Sequence, residues 1–206
     1  MNRLPKVILL TGFEAFGESK VNPSILACRE LESKNYNSYM VAVEEIPLRY
    51  KEIQSKIERL IEAYKPSAIV GTGQGGGPGL SLERVAINIA DARTPYNCGA
   101  KPIDEPLNPK GPAAYFTKLP IKKLVERLRE EKIPSAISNS AGTFGCNQLF
   151  YHLMDFLARK KLNYPAGFIH VPLLPEQTLE NRSPSMPIDL TAKGLSLVLG
   201  EITKRL

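Results

Sequence analysis

Short apolar runs alternate with amphipathic stretches along nearly the whole 206-residue chain, and that alternation most narrows the folds open to it. Lys6 to Leu10, Tyr39 to Val43, Ser67 to Val70, Ile133 to Ile137 and Ala166 to Val171 are short, apolar and bounded by turn residues, as strands are. Helical patterns lie between them. Asn22-Pro23 reads as a helix start, with asparagine as N-cap and proline at the first helical position. Ile25, Cys28 and Leu31 then share one face, so Cys28 is expected in the core. Arg49 to Lys65 carries a buried stripe of Ile53, Ile57, Leu60, Ile61 and Tyr64. Pro120 opens a helix with Ile121, Leu124, Val125 and Leu128 inward, and Ile188 to Leu206 closes the chain as another. Strands that alternate with helices in this way pack as an α/β structure. The expectation is a single domain over residues 1–206, a three-layer α/β/α sandwich around a twisted, largely parallel mixed sheet.

Composition excludes several classes. At 43% hydrophobic and 23% charged residues the chain is ordinary for a globular protein, and it has no apolar run long enough to span a bilayer. Met1 to Lys6 leads into Val7 to Leu10, too short for a signal-peptide core and without a cleavage site, so a cytoplasmic location is expected. Three cysteines without close pairs give neither a disulfide framework nor metal-ligand spacing, and no cofactor is expected. The net charge of +6 is scattered over amphipathic helices rather than gathered in a patch, which argues against a nucleic-acid partner.

The chemistry concentrates in Ser138-Asn-Ser-Ala-Gly-Thr-Phe-Gly-Cys146-Asn-Gln-Leu-Phe-Tyr151. This reads as a strand end, a turn eased by Gly142 and Gly145, and a helix marked by Leu149, Leu153, Phe156 and Leu157. Cys146 falls at or just before the helix N-terminus, where free N–H groups and the helix dipole favour a thiolate. A nucleophile and an inert packing cysteine are both open readings at this point. A nucleophile needs a base, and the chain has two histidines. His152 is six residues further along the same helix, about 9 Å of rise and roughly 120° around the axis, and cannot reach the thiol. His170 ends a strand, where ligands gather in α/β sheets; by elimination it is the base, and a structural strand histidine is the other open reading.

Gly71, Gly73 and Gly76 match G-x-G-x-x-G, but Pro78 and Gly79 follow, and then the strand-like alternation of Leu80, Leu82, Val85, Ile87 and Ile89. A dinucleotide fingerprint must open a helix, so that reading is set aside. The alternation slips by one residue at Glu83-Arg84, which suggests a β-bulge or bend. Glu83 is then either an edge charge paired with Arg84 or solvent, or the carboxylate that orients a histidine. Phe13 and Phe16, in a loop expected over Thr11 to Gly17, either plug the core or line a pocket. Asp91 to Gly111, with four prolines, is a long loop of the kind that is functional or mobile.

Several long stretches together resemble the pyrrolidone-carboxylate peptidase (pyroglutamyl peptidase I) family of cytosolic cysteine peptidases. They are Thr11-Gly-Phe-Glu-Ala-Phe-Gly, Val21-Asn-Pro, Leu82-Glu-Arg-Val-Ala-Ile-Asn-Ile-Ala-Asp-Ala-Arg93, Ala114-Tyr-Phe-Thr-Lys-Leu-Pro120, Ser138 to Asn147, Gly167-Phe-Ile-His-Val-Pro172 and Pro175-Glu-Gln177. The resemblance implies an exopeptidase that removes N-terminal pyroglutamate from peptides through a thioacyl-enzyme. It implies a triad of Glu83, Cys146 and His170, help from Arg93, and a pyroglutamyl pocket lined by Phe13, Phe16 and Phe144 with Asn22 and Gln74. It also implies a homo-oligomer, a tetramer, with no nucleic-acid or membrane partner. Two departures stand out: Gly145 replaces the bulky aliphatic residue usual before the nucleophile, and residues 71–79 are glycine-dense. The rival expectations are a nucleotide-binding protein using residues 71–76 and a non-catalytic binding module of the same fold.

Overall fold

The computed structural model describes residues 6–206, so the reading of Met1 to Pro5 lies outside the described residues. The elements run Lys6–Phe13 (β1), Pro23–Arg29 (α1), Asn35–Tyr36 (β2), Tyr39–Ile46 (β3), Glu52–Tyr64 (α2), Ala68–Gln74 (β4), Leu80–Glu83 (β5), Val85–Ile87 (β6), Ala114–Phe116 (β7), Ile121–Glu130 (α3), Ser135–Ser138 (β8), Gly145–Arg159 (α4), Ala166–Val171 (β9) and Ile188–Thr203 (α5). Seven strands form one sheet in the order β2-β3-β1-β4-β9-β5-β8. β3, β1, β4 and β9 run parallel, while β5 is antiparallel to β9 and parallel to β8.

The helices cover both faces, and each face has its own core. Ala27, Cys28, Leu124, Leu128, Leu195 and Leu199 from α1, α3 and α5 pack on one side. Ile53, Ile57, Ile61, Leu149, Leu153 and Leu157 from α2 and α4 pack on the other. The chain goes from β1 through α1 on one face to β3, then through α2 on the opposite face back to β4 beyond β1. The connections therefore diverge at the β1–β4 boundary, and a crevice opens beyond the carboxyl ends of those strands, where α/β sheets bind ligands.

Local sequence explains the starts. Asn22 caps α1, its Oδ1 accepting from the Ser24 N–H at 3.0 Å, a bond worth about 1 kcal/mol. Ile121, Leu124, Val125 and Leu128 of α3 are all buried, as their spacing predicts. One expectation is corrected and another is narrowed. The segment Thr11 to Phe13 is not loop; β1 continues in register with β3 as far as the Phe13–Ile46 pair. The slip at Glu83-Arg84 is a bend and not a bulge within one ladder. The chain leaves the large sheet there, and β6 pairs with β7 in a separate two-stranded sheet. Its buried residue is Ala86, with Val85 and Ile87 half-buried, because β6 turns its small side chain toward α4. The Asn147 side chain on α4 completes this contact, accepting from the Ile87 N–H at 2.9 Å and donating to the Ile87 and Ile89 carbonyls at 2.9 and 3.0 Å.

Among the described residues no helix is long and apolar enough to cross a membrane. The long loop after Asp91 is tied down rather than loose. Asn88 and Asn108 bond reciprocally at 2.7 and 2.8 Å, Tyr151 donates to the Pro112 carbonyl at 2.8 Å, and Asp155 accepts from Tyr115 at 2.9 Å.

Candidate active site

His170 lies on β9 between Gly73 of β4 and Ser81 of β5. Directly opposed residues share a face, and Glu83, two residues beyond Ser81, lies on that same face. Diagonal neighbours in an antiparallel pair are within reach of long side chains. The Glu83 Oε1 is accordingly 2.8 Å from His170 Nδ1. Glu83 is 1% exposed, so the edge-charge reading is overturned, and Arg84 donates instead to Asn139 at 2.7 Å. The second carboxylate oxygen of Glu83 is buried without a hydrogen-bond partner. A buried carboxylate with one partner is tolerable chiefly when that partner is a cation.

Cys146 is the second residue of α4. Phe144 is the N-cap and makes no side-chain cap bond, so the first-turn N–H groups stay available. The thiol passes close over β4: a Cβ on Gly73 would stand 2.5 Å from Cys146 Sγ. Only glycine fits there, and this explains why a glycine pattern sits in a strand instead of opening a helix. Gly73 pairs with His170, so the thiol and imidazole meet above adjacent strands. Burial opposes a charge on His170, but Cys146 beside it and the bond to Glu83 outweigh that and push the imidazole up to about 10.

The other candidates separate cleanly. His152 is buried in α4 with Nδ1 unpartnered, and burial, partly offset by Asp155, depresses it to about 4. Cys28 is buried against Thr72 Oγ1 at 3.3 Å, and burial pushes its thiol up to about 12, the state of an inert core cysteine. Cys98 is exposed.

Phe13, Phe16 and Phe144, with Leu48, Asn22 and Gln74, wall a cavity of about 50 Å³ that opens on Cys146. Phe13 belongs both to the core and to this wall, so its two readings are one. Asn22 is largely occupied: Oδ1 accepts from the Ser24 N–H and hydroxyl, and Nδ2 donates to the Glu14 carbonyl at 2.9 Å. Gln74 ends β4, and its Oε1 accepts from Gln177 Nε2 at 3.0 Å. Arg93 is exposed on the long loop and is not part of the cavity wall. It stands two residues from Asp91, whose backbone exchanges bonds of 2.8 and 2.9 Å with Thr143, just before the nucleophile turn. On the other side of His170 lies a cleft of about 280 Å³, lined by Gly75–Gly77, Gly79, Ser81, Ser140–Gly142 and Val171.

Three neighbours of the site were not among the expected site residues. Leu48 sits on an irregular segment between β3 and α2. Tyr96 packs its ring 4.4 Å from that of Phe144. Gln177 lies in a short 3-10 turn, Pro175–Gln177, and bonds both Gln74 and Ser19. Gln177 alone could have been found, as the end of the Pro175-Glu-Gln motif.

Residues 6–205 match the family model described as pyroglutamyl peptidase. The pyrrolidone-carboxylate peptidase of Bacillus licheniformis is 45% identical over 193 residues, covering 93% of this chain and 90% of the relative. That of Vibrio parahaemolyticus is 43% identical over 194 residues, covering 94% and 91%. Among solved structures, Bacillus amyloliquefaciens pyroglutamyl peptidase I superposes with a TM-score of 0.94 at 40% identity, covering 97% of both chains. The pyrrolidone carboxyl peptidase of the hyperthermophile Pyrococcus furiosus gives a TM-score of 0.94 at 35% identity, covering 97% of this chain and 99% of that one. A match over nearly the full length, in sequence and in fold, around a Glu–His pair and a helix-start cysteine, has one reading: the chain belongs to the pyroglutamyl peptidase family of cysteine peptidases.

Proposed function

We propose that this protein removes N-terminal pyroglutamate from peptides as a thiol exopeptidase, with Cys146 as nucleophile, His170 as acid and base, and Glu83 as the carboxylate that orients His170. The observation that carries the reading is the 2.8 Å Glu83–His170 bond, with Cys146 at a helix start beside that imidazole and under an aromatic cavity.

The Cys146 thiolate attacks the carbonyl that joins pyroglutamate to the next residue. The first-turn N–H groups of α4 offer bonds to the oxyanion that forms. Collapse breaks the C–N bond, His170 gives its proton to the departing amine, and a thioester to Cys146 remains. The imidazole then takes a proton from water, hydroxide attacks the thioester, and pyroglutamate leaves as the thiolate returns. Glu83, with one oxygen committed to Nδ1 and the other unpartnered, favours the imidazolium form.

The lactam ring is uncharged, and an apolar cavity with few polar groups suits it. Gln74 has its Oε1 taken by Gln177, so its N–H pair is what it can offer the ring. Asn22 has one amide hydrogen left for the same purpose. Arg93 acts from the exposed rim of the nucleophile turn. The leaving peptide lies in the glycine-walled cleft beyond His170. Assembly as a homotetramer, action in the cytoplasm and a single folding unit over the whole chain belong to the same reading.

The test is release of a fluorescent amine from a pyroglutamyl amide, with the alanyl amide as control and iodoacetamide as inhibitor. Selective release that alkylation abolishes is the expected result. Folded, reduced protein that releases nothing would overturn the reading.

A further inference from the structure

Gly145 stands immediately before the nucleophile, and the space a side chain would fill there is already taken. A Cβ at 145 would collide with Leu48 Cδ1 and lie 3.8 Å from the Phe13 ring. Leu48 comes from a different part of the chain, the irregular segment between β3 and α2. It is 3% exposed and lines the cavity that opens on Cys146.

Its backbone is held at both ends. The Leu48 N–H donates to Glu14 Oε1 at 2.9 Å, and its carbonyl accepts from the Asn97 N–H at 3.0 Å. Asn97 Nδ2 in turn donates to the same Glu14 oxygen at 2.7 Å, and Gln148 Nε2 donates to the Tyr50 carbonyl at 2.6 Å, fixing the segment to α4. The other walls are less constrained: Phe16 and Phe144 are half-buried. The cavity measures about 50 Å³. The half-buried Phe16 and Phe144 can adjust to a bound ring more readily than Leu48, pinned through its backbone, or the core residue Phe13.

We infer that Leu48, packed across Gly145, is the specificity-determining wall of the ring pocket and sets the ring size this protein accepts. This rests on the peptidase reading above. One methylene too many in an apolar pocket costs about 10- to 200-fold in kcat/KM, which is the scale of discrimination available here.

The experiment compares a pyroglutamyl amide with its six-membered homologue, the 6-oxopiperidine-2-carbonyl amide. The unaltered protein is expected to prefer the five-membered ring by at least about tenfold. Leu48→Ala removes the fixed wall, and the preference should fall by about tenfold or more while the five-membered substrate is still turned over. Gly145→Ala alone forces Leu48 toward the ring and should lower kcat/KM for both amides. In the Leu48→Ala background the same change should cost nothing further, because the collision partner is gone. Should Leu48→Ala not fold, Leu48→Val reads the same ratio with one carbon removed. An active Leu48 variant with unchanged ring preference, or additive effects at 48 and 145, overturns the inference alone. Unaltered, folded protein inert toward both amides overturns the peptidase reading and this one with it.

Discussion

Two spaces meet at His170 and Cys146, and they are built on opposite plans. On one side the ring cavity is about 50 Å³ and walled by three phenylalanines and a pinned leucine. On the other the cleft is about 280 Å³ and walled by backbone, with glycine at 75, 76, 77, 79 and 142. A Cβ on Gly76 would meet nothing within 4 Å, and one on Gly77 nothing nearer than 3.6 Å. Neither has the positive φ that demands glycine. Close packing does not explain these two glycines, and an open wall does. Under the proposed function, the difference predicts strict choice on the acyl side of the cleaved bond and tolerance on its amine side. The first is walled by apolar side chains, with the Leu48 backbone held by hydrogen bonds; the second is walled largely by glycine backbone, with Ser81, Ser140, Ala141, His170 and Val171 completing it.

The comparison breaks first if the chemistry is not between the two spaces. Cys146→Ala should lower kcat by about 10⁴- to 10⁶-fold with the fold retained by circular dichroism, since removing one member of a nucleophile–base pair removes nearly all its effect. Glu83→Gln keeps the shape but no longer favours the charged imidazole, and should cost about 10³- to 10⁴-fold in kcat with a smaller change in KM. The pH profile sharpens the same point. His170 is held protonated until pH passes about 10, so the alkaline fall of kcat/KM belongs near that value. In Glu83→Gln it should move toward lower pH, and an unmoved limb would detach Glu83 from His170.

The two sides are then told apart by substrate series. Phe16→Ala should reduce kcat/KM by about 10- to 100-fold for every pyroglutamyl peptide alike, as loss of an apolar contact to the common ring. Gly76→Val should cost about tenfold only where the residue after pyroglutamate is large, and under about twofold where it is glycine. A uniform loss in Gly76→Val would put the leaving peptide elsewhere. The smallest effect on turnover is expected from His152→Leu, which touches neither space. Its effect is on stability. Burial holds His152 near 4 against an ordinary 6.5, so the unfolded chain takes up a proton that the folded one refuses. Stability from this histidine is full above about 6.5 and falls away as pH drops toward 4, and His152→Leu should flatten denaturant midpoints across that window.

Much of this was legible in the sequence because periodicity reports packing. The α3 stripe of Ile121, Leu124, Val125 and Leu128 and the β9 limits Ala166–Val171 follow from pattern alone. The Cys146–His170 pairing followed from chemistry, since a helix-start thiol needed a base that His152 could not supply. What pattern could not give was pairing between distant segments. Two-residue β2 and three-residue β7 are too short to carry a period. The departure of the chain from the sheet after Glu83 could not be told from a bulge because both shift the side-chain phase by one. Leu48 was invisible for the same reason: its place in the cavity wall is fixed by Glu14 and Asn97, each far away along the chain.

The Glu83–His170 bond joins residues 87 positions apart, across the antiparallel junction between β5 and β9. Contacts of such separation are slow to form, because loop closure must be completed before they repay it. In the sheet, β5 is joined to β4 only through β9, the last strand along the chain. A refolding chain in which β5 has not yet met β9 has no Glu83 beside its imidazole. Recovery of peptidase activity after dilution from denaturant should therefore lag behind recovery of helical signal, because the site is assembled by the last strand to join the sheet in chain order.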